Sequence, residues 1–269
     1  MFNVEMNAND TFDTTQREFG GNSIFGDRDN LVPRFDGKDI LTGTADSEVI
    51  SGSEADDRFF GSSGNDTLDG LGGENIADYS SLGTPVILQK RGLITKVGLG
   101  EDRISNIETI VGASGQDNSI DGVTGATGVS SFDIDLSKDK LTVRNIPVLG
   151  DLTFTVKNFV NVIGTNKSDS IIGNEKDNSL VGAAGDDTLT GGFGNDTLTG
   201  NEGSDIFVIG KNGGVDTISD FELNADKIGL ADGLTFADLD LSGNSIFNDG
   251  ALLANTNILT EELTGSDFV

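Results

Sequence analysis

The chain has 269 residues with 45 acidic and 17 basic side chains, a formal net charge of -28, and neither cysteine nor histidine. Such acidity argues against nucleic acid, whose phosphates call for Lys and Arg, and against an anionic membrane surface, and it favours cations. The missing residue types remove disulfides, thiolate metal sites, the Ser-His-Asp triad and imidazole acid-base chemistry, so no enzymatic activity is expected.

In chain order, residues 1–33 show neither the basic start nor the apolar run of a secretory signal. Gly20, Gly21, Asn22 and Phe25, Gly26, Asp27 look like worn relatives of the motif that follows, and this stretch reads as a degenerate N-terminal cap. Residues 34–78 then form an array of nonapeptides: RFDGKDILT, GTADSEVIS, GSEADDRFF, GSSGNDTLD and GLGGENIAD. The sixth positions are Asp39, Glu48, Asp57, Asp66 and Asn75, and the eighth are Leu41, Ile50, Phe59, Leu68 and Ala77.

Residues 79–163 lose the period but keep the grammar of strands, forming an intervening β region. Phe132, Ile134 and Leu136 alternate with polar residues, as do Leu152, Phe154 and Val156. The spacing of Asn106, Ile107, Ile110, Val111 and Gly112 returns in Asn158, Phe159, Val162, Ile163 and Gly164, marking two lead-in strands. After the first of these, Gly115 to Ile120 reads as a remnant repeat in which the aspartate-to-apolar spacing slips by one.

Residues 164–208 are the most regular stretch: GTNKSDSII, GNEKDNSLV, GAAGDDTLT, GGFGNDTLT and GNEGSDIFV. Here the sixth positions are Asp169, Asn178, Asp187, Asp196 and Asp205, and the eighth are Ile171, Leu180, Leu189, Leu198 and Phe207. In residues 209–269 two further strands, Gly214 to Phe221 and Asp226 to Leu230, are placed to close the stack, because a solenoid must cover its last sheet edge.

A Gly-, Asn- and Asp-rich hexad forms a turn, since glycine tolerates positive φ and Asn or Asp bond their own backbone. The remaining three residues form a short strand whose middle side chain points inward. Two blocks then complete one coil, and coils stack at about 4.8 Å, which lines up sixth positions two blocks apart. Bare carboxylates about 5 Å apart repel by roughly 3 kcal/mol at an effective dielectric of about 20. A cation between them removes that cost, and an oxygen-only, flexible cage suits Ca2+.

This grammar resembles the RTX, or haemolysin-type calcium-binding, repeats of bacterial secreted proteins. The resemblance implies an all-β parallel β-roll, or β-solenoid, with several calcium ions held between turns on the same edge. It pairs Asp169 with Asp187, Asn178 with Asp196, and Asp187 with Asp205, with turn glycines Gly185, Gly194 and Gly203. In the first array it pairs Asp39 with Asp57, Glu48 with Asp66, and Asp57 with Asn75. Fewer filled sites are expected there, because Glu48 is a methylene longer than Asp and because Asp46 and Ala55 replace turn glycines. Lys167 and Lys176 do the same in the first two blocks of the second array.

The resemblance also implies an extracellular or cell-surface protein exported by a type I secretion apparatus, with Ser266, Asp267, Phe268 and Val269 resembling the end of an uncleaved C-terminal signal. A structural role at the cell surface is expected. The alternative is an adhesion or carbohydrate-binding module in the middle region that meets cell-surface or matrix polysaccharide.

Overall fold

A computed structural model of the chain describes residues 38–123, 130–146 and 149–269. The expected cap at 1–33 and the opening of the first array lie outside the described residues. Each nonapeptide turn delivers a three-residue strand whose middle side chain alone is buried, as in β1 (Ile40–Thr42), β2 (Val49–Ser51), β3 (Arg58–Phe60) and β4 (Thr67–Asp69). Parallel partners lie 18 residues apart, Leu41 beside Phe59 and Ile50 beside Leu68, so two blocks make one coil. The chain is an all-β parallel β-roll. Among the described residues the only helical elements are three-residue 3-10 turns.

Contacts divide the chain into two units: one runs to Asn118 and takes in Phe154–Asn158, and the other comprises Ser119–Thr153 and Phe159–Val269. In the first unit, β1, β3, β5 (Ile76–Asp78) and β9 (Thr109–Val111) stack in parallel. The opposite ladder runs β2, β4, β8 (Gly100–Ser105), and then turns antiparallel through β7 (Leu93–Lys96) and β6 (Val86–Gln89). Thr155 to Lys157 extend the first ladder from β9.

The second unit takes β10 (Asn118–Asp121) from Ser119 on, an antiparallel hairpin, β11 (Ser131–Asp135) and β12 (Lys140–Ile146), and β13 (Gly150–Lys157) as far as Thr153. One ladder then runs β11, β15 (Ser170–Ile172), β17 (Thr188–Thr190), β19 (Ile206–Ile209), β21 (Lys227–Leu230). The other runs β14 (Phe159–Ile163), β16 (Ser179–Ala184), β18 (Thr197–Glu202), β20 (Asp216–Ile218), β24 (Ala251–Thr256). Antiparallel β23 (Ser245–Asn248) and β22 (Leu239–Ser242) continue it outward.

Between the two ladders of this unit Ile171, Leu180, Leu189, Leu198 and Phe207 are all fully buried. Each such side chain contributes about 1.5–3 kcal/mol, and with one per block the core is a single file of apolar groups. At the end of the chain Phe268 bridges to Ile228, and its ring packs 4.9 Å from that of Phe236, covering part of the β21 edge.

The middle region departs from simple alternation in two places. Leu152 is exposed while Val156 is buried, so the outer half of β13 does not face a core. In the expected remnant repeat, Asn118 and not Asp117 takes the inward place two residues before buried Ile120, accepting the Ala113 N–H at 3.2 Å. Asn118 is the residue that carries the slipped register. Asn106 and Asn158, which open the two similar lead-ins, both adopt left-handed backbone, at φ 52° and 63°.

Candidate metal centres in the glycine turns

Stacking coils every 18 residues makes each sixth-position side chain reach back to the coil before it. Asp187 Oδ1 accepts the Asp169 N–H at 2.7 Å, Asp205 Oδ1 the Asp187 N–H at 2.8 Å, and Asp226 Oδ1 the Asp205 N–H at 2.9 Å. On the other edge Asp196 takes the Asn178 N–H at 2.7 Å, and Asp216 the Asp196 N–H at 3.2 Å. The same link joins Asp39 to Asp57 at 2.8 Å, Glu48 to Asp66 at 3.1 Å and Asp57 to Asn75 at 2.9 Å in the first unit. The expected same-edge partners are therefore brought together.

What happens to the second oxygen depends on the turn. In four blocks the residue after the opening position is Thr44, Ser53, Thr165 or Asn174, and its side chain accepts the N–H of the fourth residue, forming an ST or Asx turn. Its own N–H is then aimed at the sixth side chain: Thr44 to Glu48 at 2.7 Å, Ser53 to Asp57 at 2.6 Å, Asn174 to Asn178 at 2.8 Å, and Thr165 to Asp169. These turns neutralise their own acceptors. Asn178 also donates its amide to the Val160 carbonyl at 2.8 Å.

The last three blocks of the second array behave differently. Their second residues, Ala183, Gly192 and Asn201, take left-handed backbone at φ 86°, 101° and 66°, as do Gly185, Gly194 and Gly203 at the fourth position. A side chain at Gly203 would collide with the Gly185 carbonyl, 1.9 Å from the added carbon. Asp187, Asp196 and Asp205 each keep a buried Oδ2 that has no hydrogen-bond partner among the described residues. That oxygen lies against the block's opening glycine, Gly182, Gly191 or Gly200, where a Cβ would come within 2.1–2.2 Å of it. The opening glycine exists to admit this carboxylate.

Burial, with neighbouring carboxylates adding to it, pushes Asp187 and Asp196 up to about 7 and Asp205 to about 6. Burial likewise raises Asp216 to about 6. Among the described residues no Lys or Arg pairs with Asp187, Asp196 or Asp205. Buried anionic oxygens without a counter-charge, beside glycine turns rich in main-chain oxygen, fit a hard cation such as calcium. Three or more acidic side chains do not converge on one point among the described residues. An ion here would be held by two carboxylates from adjacent coils together with turn carbonyls.

Known proteins supply the frame for this chemistry. The family model described as RTX calcium-binding nonapeptide repeat (4 copies) matches residues 36–77, 163–198 and 181–208. The chain carries RTX calcium-binding repeats. Among solved structures, the extracellular lipase LipA from Serratia marcescens aligns at 17% identity over 87% of this chain and 40% of its own, with a TM-score of 0.27. The chain thus spans less than half the length of that protein. No curated protein matches it.

Outside the matched residues, Asp102, Asp216 and Asp226 occupy sixth-position places that the nine-residue period misses. Asp102 accepts the Asp66 N–H at 3.0 Å across a separation of 36 residues, and Asp216 and Asp226 follow their partners by 20 and 21. A Gly-x-Gly-Glu-Asp run at Gly98 to Asp102 was the available signal for the first.

Proposed function

We propose that the chain is an exported calcium-binding protein whose second array folds when calcium fills its last turns. The observation that carries this reading is the set of buried, partnerless Oδ2 atoms on Asp187, Asp196 and Asp205. With calcium absent these carboxylates repel and their desolvation is uncompensated, while the single-file core does little against the ordering entropy of the coils. Calcium would then be bound by a site that exists only when coils are stacked, so binding and folding are one event. Extracellular modules of this kind hold calcium with dissociation constants of about 0.1–1 mM, which separates a low-calcium cytosol from the outside.

Export in the unfolded state through a type I apparatus, a structural or cell-surface role and the absence of enzymatic activity belong to the same proposal. Their support is the repeat type, the acidity and the lack of histidine. The test is a calcium titration of the chelator-stripped chain followed by far-UV circular dichroism, with magnesium as control. A cooperative gain of β signal at submillimolar to millimolar calcium, absent with magnesium, is expected. A spectrum that is already β-rich in chelator over the whole chain and indifferent to calcium would refute it.

A further inference from the structure

Lys96, at the end of β7, is buried to 1% exposure. Its ammonium lies between two carboxylates, bonding Asp102 Oδ1 and standing 3.3 Å from Asp66 Oδ2. The register of Thr67 beside Arg103 places Asp66 and Asp102 at the same point of adjacent coils, as Thr188 beside Ile206 places Asp187 and Asp205. The fourth-position glycines all have positive φ: Gly64 and Gly100 adopt 103° and 113°, against 118° and 150° for Gly185 and Gly203.

At their fourth and sixth positions, then, the Asp66 and Asp102 turns match the last three turns of the second array, while their second positions are Ser62 and left-handed Gly98. Their carboxylates are nevertheless fully engaged. Asp66 accepts the Glu48 N–H at 3.1 Å and the Ser62 hydroxyl at 3.1 Å, Asp102 accepts the Tyr79 hydroxyl at 3.0 Å, and Lys96 supplies the positive charge between them. The insertion that separates the two aspartates by 36 residues instead of 18 is the segment that delivers the lysine. An ammonium brings one charge and three donors, enough to pair both carboxylates although it cannot match a divalent ion.

We propose that Lys96 is a resident cation occupying, between Asp66 and Asp102, the place that calcium takes between Asp187 and Asp205, so that this step stays formed without the ion. The inference rests on the calcium-filled reading of the second array. It makes the step a converted metal centre, one that takes a divalent cation again once the lysine is removed.

The test compares the full chain with its K96M and K96R variants by hydrogen exchange and by counting bound calcium. In chelator, peptides within 86–105 are protected in the parent and in K96R, and in K96M their protection falls roughly 100-fold or more, because a buried charge pair has lost one partner. Saturating calcium restores protection to K96M, which binds one ion more than the parent. The proposal is overturned if K96M is as protected in chelator as the parent, if its ion count is unchanged, or if calcium fails to restore it. Peptides within 164–230 in the same samples judge the second array by themselves: if they are protected in chelator and indifferent to calcium, that reading fails, while the chelator comparison of K96M with the parent still decides the role of Lys96.

Discussion

The blocks opening at Gly43, Gly52 and Gly61 and the last three blocks of the second array use the same repeat and leave their sixth-position carboxylates in opposite conditions. Asp57 is bonded by the Ser53 N–H at 2.6 Å, and Asp66 by Ser62 and Lys96, whereas Asp187, Asp196 and Asp205 each bury an oxygen that has no hydrogen-bond partner among the described residues. The difference is local. At Thr44, Ser53, Thr165 and Asn174 the side chain after the opening position folds the turn onto its own acceptor, while the left-handed backbone of Ala183, Gly192 and Asn201 turns that N–H away and leaves the carboxylate oxygen bare. On the proposed function, calcium dependence is set turn by turn, by the backbone at two positions in nine.

The widest gap between the arrays should close when the second loses its charges. In D187N/D196N/D205N the buried repulsion disappears together with the anionic ligands, and the calcium midpoint of the circular dichroism transition should rise at least about 100-fold or vanish. The equivalent triple change D57N/E48Q/D66N should leave that midpoint within about 2-fold, since those side chains are already engaged.

Protons should partly replace calcium in the second array. Asp187 and Asp196 are raised to about 7, and Asp205 and Asp216 to about 6, by burial. The ion-free fold therefore binds more protons than the unfolded chain between pH about 4 and 7, so it loses stability as pH rises through that window. In chelator, urea denaturation followed by exchange of peptides within 164–230 should show higher midpoints at pH 5 than at pH 8, and calcium should bind more weakly at pH 5.

The smallest effect is expected from strain. Ala183 holds φ 86°, a conformation costing a residue with a Cβ about 1–2 kcal/mol. Ala183→Gly should lower the calcium midpoint by a few-fold at most, and Thr165→Gly, which removes a capping hydroxyl, should cost about 1 kcal/mol in the thermal transition of the second unit.

Much of this was legible in the residues themselves. Opening glycine, sixth-position acid and eighth-position apolar residue fix the turn, the ladder and the inward file because each answers a contact made once per block. Asp216 and Asp226 were not legible, since longer loops shift them to 20 and 21 residues from their partners and break the period while keeping the bond. Lys96 was hidden for a similar reason. Leu93, Ile94, Thr95 and Lys96 read as an ordinary edge strand, and only the antiparallel return through β8 turns the lysine toward Asp66 and Asp102. Among the expected ligands, Asp57, Asp66, Asp169 and Asn178 look like Asp187 by position and differ only in what bonds them, which is a property of neighbouring residues.

The most direct measurement is region-resolved hydrogen exchange of the full chain in chelator and in millimolar calcium. The account predicts that peptides within 164–230 exchange freely in chelator and become protected with calcium, while peptides within 58–111 are protected in both. Equal protection of the two regions in chelator, or an equal response of both to calcium, would contradict it.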